Sequence, residues 1–141
     1  LAMAREFGAS TTLVVGKQDL LKEVRALTNG LGVAVAYDAV GSIDTPATVI
    51  EATRKGGSVG LVGNLSASAN LPLQSAVTRE ISIYGSCASA GEYPECMDLI
   101  ASGAVDVNTL ISATPPLSEG PHWFDRLYRK EPGLMKIILR P

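Results

Sequence analysis

Apolar and polar positions along the chain fall into two alternating patterns. Short apolar runs stop at glycine or aspartate, and stretches of helical spacing lie between them. The clearest example is residues 33–64. Residues 33–37 read Val-Ala-Val-Ala-Tyr, stop at Asp38 and turn at Gly41-Ser42. Thr45 and Pro46 have the character of a helix N-cap and a first helical position. Val49, Ile50 and Thr53 then recur three and four apart, and Gly56-Gly57 is predicted to end the helix. A second apolar run, residues 59–62, stops at Gly63-Asn64. Two nearly all-apolar strands joined by a helix predict parallel strands buried on both faces. In such sheets ligands sit at the carboxyl ends of the strands. Here those ends carry Ala39, Val40, Gly41 and Ser42, and then Gly63 and Asn64, residues expected to let a ligand approach the backbone closely.

The same rhythm runs through the rest of the chain. Residues 1–7 read as the end of a helix closed by Gly8; its uncapped start predicts a chain cut from something longer. Residues 12–15 predict a short strand ending at Gly16. Asp19 is placed to cap a helix over 20–29, with Leu20, Val24 and Leu27 on one face, Leu21 beside them, and Gly30 closing it. Residues 65–80 are less regular: Ser66, Ser68 and Asn70 mark a loop, and residues 71–77 seed a short helix. Residues 81–84 alternate as a strand and end at Gly85-Ser86. A helix is predicted over 92–102, with Tyr93, Cys96 or Met97, and Ile100 on one face and Gly103 as its stop. A strand around 109–113, a break at Pro115-Pro116, a last helix capped by Ser118 with Phe124, Leu127 and Tyr128 on one face, and a terminal strand over 135–139 complete the pattern. Strand and helix alternating through short connections argue for an α/β fold.

Composition narrows the function classes. With 141 residues, 46% hydrophobic and 18% charged, the chain can build a core. Its net charge of −2 and the lack of any strongly basic stretch exclude a nucleic-acid partner. No apolar run approaches the ~20 residues needed to span a membrane. Cys87 and Cys96 lack metal spacing and are expected to be buried or partly buried thiols of a cytoplasmic protein. One histidine and two cysteines fall short of a zinc site. A nucleophile pair of Cys87 or Cys96 with His122 lacks any residue to orient the imidazole, and His122 is expected at the surface of its helix. Asp38 reads either as a ribose-binding acid or as a solvated strand end. The acid that reads ribose normally follows the second strand of such a fold, which favours the solvated end. There is no Gly-x-Ser-x-Gly elbow, P-loop or Gly-x-Gly-x-x-Gly turn. The residues alone describe a ligand rim without reacting apparatus.

Four stretches in order resemble the C-terminal part of the medium-chain, zinc-dependent alcohol and polyol dehydrogenases, nearest the sorbitol- and threonine-dehydrogenase-like members. They are Leu1-Ala2-x-Ala4-Arg5-x-Phe7-Gly8-Ala9; Asp38-Ala39-Val40-Gly41; Gly56-Gly57-Ser58-Val59-x-Leu61-Val62-Gly63; and Ala101-Ser102-Gly103 through Pro116-Leu117 to Lys136-Ile137-Ile138-Leu139. The resemblance implies a parent enzyme that transfers hydride from an alcohol or polyol to NAD or NADP, assisted by a catalytic zinc. It implies that the zinc ligands, the glycine-rich turn and the ribose-binding acid lie before Leu1, outside this chain. It also implies a parent of two or four copies, and a small-molecule alcohol or polyol substrate with no nucleic-acid or membrane partner.

Position by position, the resemblance implies cofactor contacts. Ala39, Val40, Gly41 and Ser42 match a turn lining the adenosine side. Val62, Gly63 and Asn64 match the segment whose backbone holds the nicotinamide carboxamide. Ser86, Cys87 and Ala88 match a segment that also touches nicotinamide, and Lys136 falls where relatives place a basic residue near the cofactor phosphates. An ordinary strand-edge lysine is the competing account of Lys136. Where sorbitol dehydrogenases carry Arg-Tyr for substrate and cofactor, this chain has Ala88-Ser89, which speaks against an ordinary polyol substrate. The implied fold is a partial Rossmann domain over residues 1–86, lacking its first two strands, followed by residues 87–141, which in relatives complete the GroES-like catalytic domain. Strands 12–15 and 34–38 would then have unpaired apolar edges, and the chain by itself is expected to be marginal and inactive. Two rivals remain: a zinc-free, quinone-reductase-like member of the same superfamily, and a non-catalytic nucleotide-binding module.

Overall fold

The computed structural model describes all of residues 1–141, in two units, Leu1–Ala90 and Gly91–Pro141. In the first unit, α1 (Ala2–Glu6) closes at Gly8, whose φ of +95° lets its N–H reach the Arg5 carbonyl at 2.9 Å. Helix α2 (Leu20–Leu27) starts at Asp19, whose Oδ1 accepts the Lys22 amide at 3.1 Å, and closes where the Gly30 N–H donates to the Arg25 carbonyl at 2.7 Å. Strands β1 (Val33–Asp38) and β2 (Thr53–Leu61) are joined through α3 (Thr45–Ala52). Strand β3 (Ser82–Gly85) follows α4 (Leu73–Thr78). All three strands are parallel, in the order β1-β2-β3.

Register decides what the sheet buries. Ala36, Val59 and Ile83 form one row across the three strands, and Ile50 of α3 and Ala76 of α4 pack with Val59 as the core. The next row is Tyr37, Gly60 and Tyr84. Successive residues of a strand point to opposite faces, so this row lies on the other side. Tyr37 and Tyr84 are 71% and 61% exposed there. The strands are therefore buried on one face only, against the expectation of two. The flanking α3 and α4 both pack on the Ile50–Val59 side.

Two local expectations also give way. Residues 12–15 form no strand; the segment makes a single bridge, Val15 to Gln18, around Gly16 at φ +85°. The segment is in neither sheet, and a lone strand has no ladder to hold it. Helix α3 ends at Ala52 rather than at Gly56-Gly57. Side chains take up the carbonyls around its end: the Thr53 hydroxyl donates to the Val49 carbonyl at 2.7 Å, and Arg79 donates to the carbonyl of Ile50 at 3.0 Å and, just past the helix, to that of Thr53 at 2.7 Å. Val33 pairs with Thr53 and Val35 with Ser58, so residues 54–57 bulge out, and Gly56 at φ +70° supplies the bend.

In the second unit, α5 (Tyr93–Ala101) stops at Gly103, at φ +74°. A short 3₁₀ turn over 108–110 leads into β4 (Ile111–Ala113), so the predicted strand starts later than 109. Helix α6 (Gly120–Tyr128) follows a second 3₁₀ turn. Ser118 lies inside that turn and caps nothing; Glu119 precedes the helix, and its carboxylate accepts the Trp123 indole N–H at 3.0 Å. Strand β5 (Lys136–Ile137) pairs in parallel with β4 and is shorter than predicted, with one further bridge from Pro116 to Arg140. No helix is long and apolar enough to cross a membrane.

Candidate functional site

Strand β1 ends in a carboxylate held by its own turn. Asp38 is only 4% exposed. Its Oδ1 accepts the amides of Val40 and Gly41, each at 2.9 Å, and its Oδ2 accepts the Thr45 hydroxyl at 2.8 Å. Thr45 Oγ1 in turn accepts the Ser42 amide at 3.0 Å. Asp38 is thus neither a ribose-binding acid nor a solvated strand end; its side chain folds the turn that follows it. Thr45 is not the N-cap of α3 either. Its hydroxyl is committed to Asp38, and the N-cap position falls to Asp44, which makes no capping bond and instead accepts the Asn70 side-chain amide at 3.0 Å. Burial pushes the Asp38 carboxyl upward, but the Gly41 and Val40 amides and the Thr45 hydroxyl together hold it below its usual range.

The other strand ends are laced to this one. The Asp38 main-chain carbonyl accepts the amides of Val62 at 2.9 Å and Gly63 at 2.8 Å. The Gly41 carbonyl accepts the Ser66 amide at 2.9 Å, and the Leu61 carbonyl accepts the Ser86 amide at 3.0 Å. Three turns, 39–42, 62–64 and 86–88, are so drawn to one edge of the parallel sheet.

Gly41 and Gly63 are also constrained from within the chain. A Cβ on Gly41 would lie 2.2 Å from the Gly63 carbonyl, and one on Gly63 would lie 2.2 Å from Val40 backbone. These glycines let two turns of the chain touch each other, since neither has a side chain to hold them apart. The rim open to a ligand is made by Ala39, Val40, Val62, Asn64, Ser86, Cys87 and Ala88, all exposed; Ser42 is half-buried beside Thr45. Lys136 stands in the second unit, exposed on β5 opposite Ile111.

The rim carries apolar side chains, the polar side chains of Asn64 and Ser86 and the Cys87 thiol, but no basic residue. No group of three or more His, Cys, Asp or Glu residues is placed to hold a metal ion, so the residues of this chain do not fit a zinc site. Cys87 and Cys96 are both free and exposed, not buried. Cys87 lies on the rim, and α5, which carries Cys96, has no buried residue. His122 is exposed in the first turn of α6, as expected, with its ring edge-on to Trp123. Sequence reasoning read Thr45 as a helix cap rather than a partner of Asp38, and missed Arg79. For Thr45 a signal existed: an acid three residues before a turn glycine and seven before a threonine.

Comparison with known proteins gives this geometry a context. The family model described as "Zinc-binding dehydrogenase" matches residues 1–102. L-idonate 5-dehydrogenase of Vitis vinifera is 37% identical over 116 residues, covering 79% of this chain and 32% of that protein. Sorbitol dehydrogenase of Bacillus subtilis (strain 168) is 29% identical over 143 residues, covering 100% of this chain and 40% of that protein. Among solved structures, an alcohol dehydrogenase from Thermus sp. ATN1 superposes with a TM-score of 0.88 at 27% identity, covering 100% of this chain and 41% of that one. The chain thus spans less than half the length of the proteins it matches.

Proposed function

The chain belongs to the zinc-binding dehydrogenase family, and on that basis we propose that it is the C-terminal part of an oxidoreductase moving hydride from an alcohol or polyol to NAD or NADP. The observation that carries this reading is the gathering of turns 39–42, 62–64 and 86–88 at the carboxyl edge of a parallel sheet, where such folds bind dinucleotides. The bound cofactor supplies the hydride acceptor.

The residues of this chain bind and orient it. Val40 and Val62, 54% and 51% exposed, offer apolar surface to the ring systems. Ala39, Val40 and Ser42 flank the adenosine. Val62 and Asn64, with Ser86, Cys87 and Ala88, flank the nicotinamide and hold its carboxamide through backbone groups. Gly41 and Gly63 act one step back, by fixing the distance between the two flanks. In this reading residues 1–86 belong to the cofactor domain and 87–141 continue into the catalytic one. The phosphate-binding turn and any zinc ligands are contributed by other residues of a longer polypeptide, which is cytoplasmic and assembles as two or four copies. Ala88-Ser89 stands where sorbitol dehydrogenases carry Arg-Tyr, which speaks against an ordinary polyol as the substrate.

The test compares the isolated chain with the longer polypeptide, by cofactor fluorescence titration and by NAD(P)H formation against a panel of polyols and secondary alcohols. The longer polypeptide is expected to bind cofactor and oxidise members of the panel, and the isolated chain to do neither. Alcohol oxidation by the isolated chain would falsify the claim that it is inactive alone. Cofactor binding by the longer polypeptide without hydride transfer to or from any carbonyl or alcohol would favour the nucleotide-binding module instead.

A further inference from the structure

We propose that Asp38 and Thr45 are positioning residues for cofactor binding, which together fix the spacing between the 39–42 and 62–64 turns. The proposal rests on the cofactor reading above and assigns the control of that site to two side chains that do not face the ligand.

A carboxylate is a costly group to bury, and a turn can be made by Asn or Ser instead. What a carboxylate adds is a second strong acceptor oxygen. At Asp38 both oxygens are used, and every partner belongs to the rim or its support: Val40 and Gly41 through Oδ1, Thr45 through Oδ2. No Lys or Arg forms a salt bridge with it. Its charge is therefore balanced by oriented amides and a hydroxyl, and those groups are held in place by it.

The same residue reaches the second turn by its main chain. Its carbonyl takes the Val62 and Gly63 amides, so one residue anchors both flanks. The contact between Gly41 and Gly63 leaves no slack, since even a methyl group on either would lie about 2.2 Å from the opposite backbone. A shift of the 39–42 turn must then move the 62–64 turn with it. A dinucleotide lying across both turns is held well only at one separation of its two ring sites.

Thr45 closes the arrangement. Its Oγ1 donates to Asp38 and accepts from the Ser42 amide, and the Ser42 hydroxyl lies 3.3 Å away. Serine can reproduce both bonds; valine, of the same shape, can make neither and leaves the Ser42 amide without its acceptor.

The experiment uses the full-length polypeptide that carries this chain, with Thr45→Val, Thr45→Ser, Asp38→Ala and Asp38→Asn. NADH and NADPH dissociation constants are measured per folded molecule, with KM and kcat and with far-UV circular dichroism. Thr45→Val and Asp38→Ala are expected to raise the cofactor dissociation constant and KM about tenfold. At saturating cofactor, kcat should stay within about twofold in Thr45→Val, because the reacting atoms are not touched. Thr45→Ser should restore the wild-type constant, and Asp38→Asn, which keeps one acceptor oxygen, should fall between wild type and Asp38→Ala. If Asp38→Ala does not fold, the Thr45 pair still decides. A Thr45→Val protein that melts earlier but binds cofactor like wild type overturns the proposal, because that is what a merely structural role predicts. So does a Thr45→Ser protein that restores nothing. A wild-type polypeptide that binds neither cofactor overturns the functional reading itself, and this proposal with it.

Discussion

At Asp38, three hydrogen bonds prevail over the cost of burying a charge. Its folded-state pKa lies below the unfolded value, so the unfolded chain takes up the proton first as pH falls. Its contribution to stability is then complete above about pH 5 and is lost as pH drops through 4 toward the folded value. Urea midpoints measured along that range should fall in the wild type and fall less in Asp38→Asn, which has no proton to take up. The glycine pair makes a second residue-scale test. Gly63→Ala forces a Cβ against backbone that cannot rotate away and should cost about 1–3 kcal/mol or more. Gly85→Ala meets nothing within 4 Å and should change stability by no more than about 0.5 kcal/mol, so comparing the two denaturation midpoints isolates the contact.

Among the elements, α3 shows how a distant side chain can decide where a helix ends. Spacing read along residues 45–57 runs the helix to its glycines, but Arg79 arrives from the end of α4 and donates to the carbonyls of Ile50 and Thr53, as well as to the Ser75 hydroxyl. Its ion pair with Glu51, at 3.5 Å and partly exposed, contributes little beside these bonds. Arg79→Met should therefore destabilise the first unit by about 2–3 kcal/mol, whereas Glu51→Ala should cost less than about 1 kcal/mol. Hydrogen exchange in the Arg79 variant should speed up first at the amides of residues 53–57. Equal midpoints for the two variants would mean that the ion pair, not the carbonyl contacts, matters. Arg79→Lys keeps the charge but not the planar fork, and is expected to behave like the methionine variant.

For the molecule as a whole, the balance between buried and exposed apolar groups is unusual. The buried hydrophobic residues are Ile50, Ala52, Val59 and Ala76, while Val35, Tyr37 and Tyr84 lie exposed on the uncovered face of the sheet. Strand β1 also pairs on one side only. Such a face is a site for association, and the isolated chain is expected to bind a hydrophobic dye and to self-associate as its concentration rises, by light scattering. Placing charge there with Tyr37→Lys and Tyr84→Lys should reduce both signals. A monomeric chain that leaves the dye dark would contradict the exposure of this face.

The sequence by itself determined the order of most elements, the α/β class and the parallel direction of the runs 33–37 and 59–62, whose register only the structure shows. Those follow from local rules: apolar periodicity, Asp19 at a helix start, Gly8, Gly30 and Gly103 at helix ends. It also pointed to the strand ends as the place for a ligand. Only the tertiary structure decided which residues of those ends are open and which are locked. Gly41 and Gly63 read as an open rim and proved to be pressed together; Asp38 read as a ligand-binding or solvated acid and proved to be the brace of its own turn. Residues 12–15 have the composition of a strand but no partner to pair with. The reason is common to all three. Propensity is a property of neighbours in sequence, whereas hydrogen-bond saturation and close contact depend on which distant backbone arrives beside a residue.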